Sequence, residues 1–384
     1  MLTKQNHLIL LAYIATGIWS CLMVYSASYA AASNRYAVSS QHFAIRQAIF
    51  YAIGLGCLFF FAKLKTVPFC SKKTMKLAGG IAVLLLILVL LTGTATNNAQ
   101  RWIQLGGATL QPTELVKILL IIVTGNFSVH YFKNMAQSNR VTYLLIGFIL
   151  FCAGLIILQP DLGTSFIVLS IFAAQLLTSG LSARRLSQIA ITGILFATLS
   201  LGITYLLHPK FFSQARLGRF AFLDPFSEAN LDASYQLRNG YYAIADGGIF
   251  GKGFGQSVQK LGFLPESHTD FISAVISEEL GISGILVTLT LILFFIWKAL
   301  HIALRSHSAF DTSICIGFAT WIAVQAFLNL GGVSGMIPLT GVPLPFISFG
   351  GTSIITLSCG VGFLISAERQ ITLTERRNIH ANQQ

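Results

Sequence analysis

Charged residues are scarce in this chain. Asp, Glu, Lys and Arg make up 10% of its 384 residues, and 54% of the residues are hydrophobic. Soluble domains have about 25% charged residues. Together with a mean hydropathy of +0.72, these values exclude an ordinary soluble domain. The net charge of +12 does not predict nucleic-acid binding either, because such binding needs a solvated basic surface.

Paired cysteines are also lacking. Of the six cysteines, Cys70 lies in a loop and the other five lie in apolar runs. No pair outside these runs could form a disulfide, and no C-x-x-C motif indicates a metal or redox site. The chain has no linker or low-complexity tract, so we expect a single membrane domain over residues 1–384.

Long apolar runs are what the sequence does have. At about 20 residues per helical crossing, they predict an all-α, polytopic integral membrane protein with about ten transmembrane helices. The strands of a membrane barrel would instead alternate apolar and polar residues. The spans are expected near residues 8–30, 44–62, 77–92, 113–132, 141–158, 163–181, 188–207, 271–297, 313–331 and 351–366. The first run is longer than the apolar core of a signal peptide, so we expect it to be retained.

Positive charges orient these spans, because Lys and Arg accumulate in cytoplasmic loops. With the N-terminus inside, 15 of the 25 basic residues fall on the cytoplasmic side and three fall in short external loops. This distribution predicts that both termini are cytoplasmic. One long extracellular loop is then expected at about residues 208–270. Eight of the 13 acidic residues lie between Asp224 and Glu279, in or just after that loop.

The first polar external segment precedes the fourth span. Arg101-Trp102 fits a snorkelling arginine beside an interfacial tryptophan, or a phosphate-binding guanidinium beside an aromatic platform. Farther on, Gln111-Pro112 fits a helix start. Glu114 and Lys117 then share one helix face. They form either a structural ion pair or an anion site with its counter-ion.

Two further segments contain polar residues on the same side. Asp161 follows Pro160 in a tight break, where it fits a helix cap or a site residue. In the long loop, Gly247 to Gly255 resembles a phosphate loop, but the spacing to Lys252 is one residue short and Gly253 replaces the Ser or Thr. Flexible backbone packed against another helix is the alternative for this glycine-rich stretch. Arg238 and Lys252 are candidate partners for an anionic substrate.

The end of the long loop contains His268-Thr269-Asp270, followed by Glu278 and Glu279. These groups could coordinate a divalent ion, although no standard ligand spacing is present. Asp270 could equally cap the eighth span. Helical spacing predicts that Glu278 lies nearer the face of Asp270, and that Glu279 lies on roughly the opposite face as a structural partner.

A Gly/Pro-rich segment separates the last two spans at about residues 331–353. Irregular backbone cannot face lipid with unsatisfied polar groups, so it must be buried in protein or line a cavity. We therefore expect a re-entrant loop that forms the floor of an external cavity.

Taken together, these motifs resemble the SEDS family of cell-wall polymerases, and the resemblance extends over nearly the whole chain. The Asn329 to Pro343 region is more similar to the division branch of the family than to the elongation branch. Phe349 departs from the family pattern, which has Tyr at that position. The motifs are Met23 to Ser28, Arg101-Trp102, Gln111 to Lys117, Gln159 to Thr164, Gly248 to Gly255, His268 to Phe271, Glu278 to Gly281 and Pro338 to Ser353.

The resemblance implies a ten-helix peptidoglycan glycosyltransferase of the bacterial cytoplasmic membrane, with lipid II as substrate and Asp270 as its essential acid. A sugar hydroxyl needs a general base to attack, and the pyrophosphate leaving group needs cations or a metal. The residues expected to bind substrate are Arg101, Trp102, Gln111, Glu114, Lys117, Asp161, Arg238, Lys252, His268, Thr269 and Glu278.

No cofactor is certain, and a divalent cation (Mg or Mn) is the candidate. Expected partners are a class B penicillin-binding transpeptidase, other divisome membrane proteins and membrane lipid. Two alternatives remain open from the sequence. One is a lipid II flippase, which would also use intramembrane charges and broken helices. The other is a non-catalytic scaffold of the wall-synthesis complex, which would tolerate loss of Asp270.

Overall fold

The protein is described by a computed structural model covering residues 4–96, 99–105, 108–131, 139–207, 222–227, 231 and 234–381. Parts of two predicted segments lie outside these described residues. They are Asn97, Asn98 and Gly106 of the first external segment, and residues 208–221, 228–230 and 232–233 of the long loop.

Eleven α-helices make up most of the described chain. Ten of them, all except α8, coincide in order with the ten predicted spans, and the predicted helical membrane fold is confirmed. The helices are α1 (Lys4–Asn34), α2 (His42–Lys63), α3 (Lys72–Thr92), α4 (Pro112–Tyr131), α5 (Asn139–Leu158), α6 (Leu162–Leu177), α7 (Ala183–Leu207), α8 (Tyr235–Gly247), α9 (Ile272–Arg305), α10 (Ala309–Val333) and α11 (Gly351–Ala381).

Apolar side chains cover the outer surface of the bundle as well as filling its core, unlike those of a soluble protein. Seven helices (α1, α2, α3, α4, α9, α10 and α11) are long and apolar enough to cross a membrane. α11 is the most buried of these seven, and it packs against α2. Leu11 and Leu84 are exposed on the outside, whereas Gln47 and Glu279 are fully buried inside. Lipid can solvate the exposed leucines but not the buried Gln47 and Glu279. The bundle must therefore supply polar partners for those two side chains.

A small β-sheet follows α3, where only an external loop is expected from the sequence. Its strands are β1 (Thr94–Thr96), β2 (Ala99–Leu105) and β3 (Ala108–Leu110), paired antiparallel in the order β1-β2-β3. This short sheet is an addition to the all-α fold that the sequence predicts. Strand pairing satisfies backbone groups that would otherwise depend on water. It also holds Arg101 and Trp102 on the central strand.

The eighth predicted span is interrupted. Gly281 in α9 has φ 64° and ψ −152°, values that no helix contains. The amide of Ile282 is hydrogen-bonded to the carbonyl oxygens of Gly248 and Ile249, at 3.3 and 3.1 Å. The glycine-rich segment after α8 therefore packs against the break. This is the alternative to a phosphate loop that the sequence leaves open.

The Gly/Pro-rich segment between α10 and α11 is irregular from residue 334 to 350. Side chains of neighbouring helices satisfy its carbonyl groups. Ser20 Oγ donates to the Ile347 oxygen at 2.8 Å, Gln47 Nε2 donates to the Ser348 oxygen at 3.1 Å, and the Tyr51 hydroxyl donates to the Phe346 oxygen. Buried irregular backbone is stable only with such partners.

Candidate functional site

Asp270 lies just before α9 and faces the irregular segment. Asn329 Nδ2 donates to the Asp270 carbonyl oxygen at 2.8 Å and to the Val342 carbonyl oxygen at 2.9 Å. A Cβ atom on Gly341 would lie 3.3 Å from Asp270 Oδ2. The absence of a side chain at Gly341 therefore leaves room directly beside the carboxylate.

The residues before Asp270 are fixed to the same irregular segment. Ser348 Oγ donates to the Thr269 carbonyl oxygen at 2.7 Å, and the Phe349 amide donates to the His268 carbonyl oxygen at 2.9 Å. Together with the Asn329 contact, these hydrogen bonds fix the carbonyl groups of three consecutive residues, 268 to 270. The backbone at Asp270 is consequently positioned by α10 and by the irregular segment, not by α9 alone.

The Asp270 carboxyl is half-buried, and its pKa is raised from 3.8 to about 7. Burial is the largest cause, because a low-dielectric surrounding disfavours the charged form. Glu266 and Asp161 raise the pKa further, whereas Arg101 lowers it. The carboxylate accepts no hydrogen bond from any other described residue. It is a half-buried carboxyl group with a pKa suited to proton transfer near neutrality.

Asp270→Asn is expected to stabilise the fold at alkaline pH. The folded carboxyl ionises near 7 and the unfolded one near 3.8. Stability is therefore lost as the pH rises between these values and stays lower above 7. The cost above pH 7 is at most about 4 kcal/mol, and asparagine removes it. The apparent unfolding midpoint in detergent should be higher for the variant at pH 8, and the difference should shrink towards pH 4. A pH-independent difference would contradict the raised pKa.

Arg101 and Asp161 form the next part of the site. Arg101 Nη2 donates to the Pro160 carbonyl oxygen at 2.6 Å, and its Nε lies 3.6 Å from Asp161 Oδ2. Asp161 Oδ1 accepts from the Thr164 amide at 3.1 Å and so caps α6. Asp161 thus combines the two roles that the sequence leaves open, because one oxygen caps a helix and the other faces a guanidinium next to Asp270.

Glu114 and Lys117 form a buried ion pair on α4, with 2.8 Å between Nζ and Oε1. Lys117 Nζ also donates to Gln325 Oε1 at 3.1 Å and lies 4.5 Å from the ring centre of Trp321. Gln325 Nε2 donates in turn to the Pro343 carbonyl oxygen at 3.0 Å. The pair is therefore linked to the irregular segment. Asp161 is close enough for its charge to act on Lys117, so α4 and α6 contribute to one electrostatic group.

Three other candidates lie around this group. Gln111 contacts α11 through its amide, which donates to Thr352 Oγ1 at 3.2 Å. Trp102 lies on β2 opposite Thr94. Thr269 Oγ1 donates to Glu266 Oε2 at 2.8 Å.

His268 is buried among aromatic rings. The ring centres of Phe43 and Phe349 lie 4.6 and 5.7 Å from the His268 ring centre. Its pKa is lowered to about 4, first because of burial and then because of the charge of Arg35. His268 is therefore neutral at physiological pH and packs beneath the site.

Glu278, Lys252 and Arg238 lie apart from the Asp270 group. Glu278 accepts from Ser257 Oγ at 2.5 Å, from the Val258 amide at 2.9 Å and from Lys252 Nζ at 3.2 Å. Arg238 Nη2 donates to the Leu231 carbonyl oxygen at 2.7 Å. All these partners belong to the long loop. The sequence predicts that Glu278 lies nearer the Asp270 face of the helix, and the structure adds that loop residues packed on this part of α9 engage its carboxylate.

Glu279 lies in a buried ion pair whose partners the sequence does not reveal. Lys260 Nζ lies 2.5 Å from Glu279 Oε1, and Ser26 Oγ donates to the same carboxylate at 2.6 Å. Gln325 and Lys260 are absent from the residues predicted to matter. The available signal was polarity, since Gln325 is a polar residue inside an apolar span.

The candidate divalent cation finds no ready site in this part of the chain. Among the described residues, no three His, Cys, Asp or Glu side chains are grouped so that they could hold a metal ion. His268 packs against aromatic rings, and Glu278 and Glu279 are engaged by loop residues. The predicted coordination by these side chains with Asp270 does not fit their arrangement.

Known proteins share this architecture. The chain is 40% identical over 98% of its length to the probable peptidoglycan glycosyltransferase FtsW of Bacillus subtilis, covering 94% of that protein. It is 34% identical over 96% of its length to stage V sporulation protein E of the same organism, covering 99% of that protein.

Solved structures agree with these similarities. A chain from a study of the structural coordination of polymerization and crosslinking by a peptidoglycan synthase complex matches with a TM-score of 0.72 and 25% identity, covering 94% of this chain and 97% of that one. The Thermus thermophilus rod shape determining protein RodA has the same fold, with a TM-score of 0.65 at 24% identity and coverage of 94% and 95%. The family model for cell cycle proteins of the FtsW, RodA and SpoVE type matches residues 6–373, and the chain belongs to this family.

Proposed function

We propose that this protein, a peptidoglycan glycosyltransferase acting in cell division, polymerises lipid II on the outer face of the bacterial cytoplasmic membrane with Asp270 as the general base. The FtsW relatives from Bacillus subtilis and Enterococcus hirae are named as probable enzymes of this class, at 40% and 34% identity. One observation in the structure carries the role of Asp270. Its half-buried carboxyl has a pKa of about 7 and lies beside Gly341, which has no side chain to cover it.

The reaction joins the 4-hydroxyl of one sugar to the carbon that carries the pyrophosphate of another. A neutral hydroxyl is a poor nucleophile, and a positioned carboxylate that accepts its proton accelerates attack by about 10²–10⁴-fold. The Asp270 carboxylate can take this proton because no other described residue donates a hydrogen bond to it. The proton remains on the carboxyl until solvent removes it.

The pyrophosphate leaving group develops negative charge, which needs a fixed cation nearby. Arg101 meets this need best, since its guanidinium lies beside Asp161 and acts electrostatically on Asp270. Lys117 is already paired with Glu114 and adds to the electrostatic field of the site from within the bundle. Lys252 and Arg238 are engaged within the long loop, which makes them weaker candidates.

The orientation of the chain follows from its charge. Fifteen of the 25 basic residues lie on one side, and the positive-inside rule makes that side cytoplasmic. Both termini are then cytoplasmic, and Asp270 is on the outer side, where lipid II is presented. The lipid anchor of the substrate remains in the bilayer, which explains why the enzyme is itself embedded. A class B penicillin-binding transpeptidase is the expected partner, because the matched complex couples polymerization to crosslinking.

The polymerisation rate should fall at acidic pH and be constant at alkaline pH. A general base must be ionised, and Asp270 ionises near pH 7. The initial rate at low substrate should therefore fall about tenfold per pH unit below 7 and level off above it. Initial rates of strand formation between pH 5.5 and 8.5 would show this dependence. A flat profile would exclude Asp270 as the base.

The function itself is tested by supplying lipid II and a divalent cation to the purified protein with its transpeptidase partner. Glycan strands on a gel are the expected result, and an active polymerase is run alongside as a reference. Strands from the reference alone would contradict the proposal. If the protein then moved fluorescent lipid II across sealed vesicles, the flippase alternative would stand in its place.

A further inference from the structure

The helix that follows Asp270 is longer than a bilayer requires. α9 has 34 residues, which corresponds to about 51 Å, whereas the hydrocarbon core is about 30 Å thick. Its non-helical residue, Gly281, divides it into a short first part and a second part of residues 282–305. The second part is about 36 Å long and can cross the membrane by itself.

The position of Trp297 indicates how deep in the membrane the break at Gly281 lies. Trp297 is 55% exposed and stacks on His301 at 5.6 Å, as expected for an aromatic residue at one membrane interface. Gly281 is 16 residues away, or about 24 Å along the helix. Because this is less than the hydrocarbon thickness, Gly281 lies at or just inside the opposite lipid boundary, on the side of Asp270.

The glycine-rich loop, defined here as residues 248–255, lies at the same depth as the break. The Lys252 amide donates to the Glu278 carbonyl oxygen at 2.9 Å, and the Gly253 amide donates to the Glu279 carbonyl oxygen at 2.8 Å. A Cβ atom on Gly251 would lie 2.2 Å from the Glu279 oxygen, so only glycine allows this approach. Loop and broken helix satisfy one another's backbone groups, the condition under which irregular backbone is tolerated within a membrane.

The side chains at the tip of the glycine-rich loop are apolar and face outward. Phe250 is 88% exposed and Ile249 is 63% exposed. Directly after the break, Ile282 is 51% and Leu286 is 57% exposed on the outer, lipid-facing surface of α9. The backbone contact between Ile249 and Ile282, at 3.1 Å, makes these two apolar surfaces continuous.

We infer that the glycine-rich loop inserts into the outer leaflet, with Ile249 and Phe250 in the acyl-chain region. The positive charge of the loop is neutralised, since Lys252 pairs with Asp246 at 2.7 Å and with Glu278 at 3.2 Å. A long basic side chain can keep its head at the interface while its neighbours enter lipid. Glu278, near the start of α9, is hydrogen-bonded to the loop. The inserted tip of the loop therefore fixes the height of the start of α9, and thus of Asp270, relative to the membrane.

Depth-dependent fluorescence quenching tests this inference without using enzymatic activity. An environment-sensitive fluorescent amino acid is placed at position 250 in the full chain, reconstituted in phosphatidylcholine nanodiscs with or without lipids carrying a shallow doxyl quencher. Matched chains carry the same probe at Leu286, on the lipid-facing side of α9, or at Ser39, exposed in the α1–α2 link. An elution profile identical to that of the unlabelled protein confirms folding of each labelled chain.

Quenching at position 250 should approach that at position 286 and clearly exceed that at position 39. Quenching at position 250 no stronger than at position 39 would overturn the inference. The inference would also fail if the probe became shielded only when the transpeptidase was added, since a protein partner would then be the occupant. Failure of the proposed glycosyltransferase activity would leave this result unaffected, because the readout is contact with lipid.

Discussion

The variant Asp270→Asn should form no detectable glycan strands from lipid II. Asparagine keeps the size of the side chain and removes its ability to accept a proton, so about 10²–10⁴-fold of the rate is expected to be lost. Substrate binding should change much less, because Arg101 and Asp161 keep their contacts. Strand formation on a gel, measured with the transpeptidase partner and a divalent cation present, gives the comparison.

The matched control is Asp246→Asn, the same chemical change on α8. Asp246 is half-exposed and pairs with Lys252 outside the Asp270 group. We expect it to retain most of the wild-type activity. The Asp270→Asn protein must also be folded, and its raised unfolding midpoint at pH 8 would show this while confirming the raised pKa.

Equal strand formation by wild type and Asp270→Asn would leave the enzyme class intact but exclude Asp270 as the base. The remaining carboxylates are not equivalent in that case. Glu278 is saturated by Ser257, Val258 and Lys252. Asp161 has one oxygen facing Arg101 and the other capping α6, and it would become the next candidate.

Sequence predicts the helices well because a bilayer requires uninterrupted apolar runs. It predicts their ends less well. The last span is expected to end at residue 366, yet α11 continues to Ala381. Arg305 explains part of this extension, since it pairs with Glu368 and Glu375, both at 2.9 Å. Ion pairs between distant helices stabilise polar helical turns, and no local pattern reveals them.

The small sheet is not predictable from the sequence for a similar reason. β1 and β3 have three residues each, too few for an alternating pattern to be recognised. What stabilises them is pairing with β2, at separations that depend on the turns between strands. The positions of Arg101 and Trp102 on a rigid strand therefore follow from tertiary structure, although their chemical importance is visible in the sequence.

Within the site, sequence identified the chemical groups better than their partners. Asp270, Arg101 and Asp161 are predicted and do interact electrostatically. Helical periodicity does not reveal the partners of Glu278, because Ser257, Val258 and Lys252 reach its carboxylate from the loop before α9. A loop that folds back over 20 or so residues is not encoded in any periodicity. Asn329 and Gln325 show the same limit, since their contacts are carbonyl groups in another segment.

The second large effect is expected for Glu279→Ala, which should destabilise the protein by about 3–5 kcal/mol. The carboxylate is fully buried and lies 2.5 Å from Lys260 Nζ, whose side chain is only 3% exposed. Ser26 Oγ accepts from Lys260 at 2.9 Å and donates to Glu279, so the group joins α1, the long loop and α9. Removing the acid leaves a buried ammonium without its counter-charge. Equilibrium unfolding in detergent would measure the loss.

Two further variants separate this cause from simple loss of packing. The double change Glu279→Leu with Lys260→Met removes both charges at similar volume and should recover most of the stability. Asp246→Ala breaks an exposed ion pair, in which the Asp246 side chain is 49% and the Lys252 side chain 32% exposed. This change should lower the stability by no more than about 1 kcal/mol. If the double variant were as unstable as Glu279→Ala, the hydrogen bonds to Ser26 and the Ser257 amide, and not charge neutralisation, would be what fixes the loop on α9.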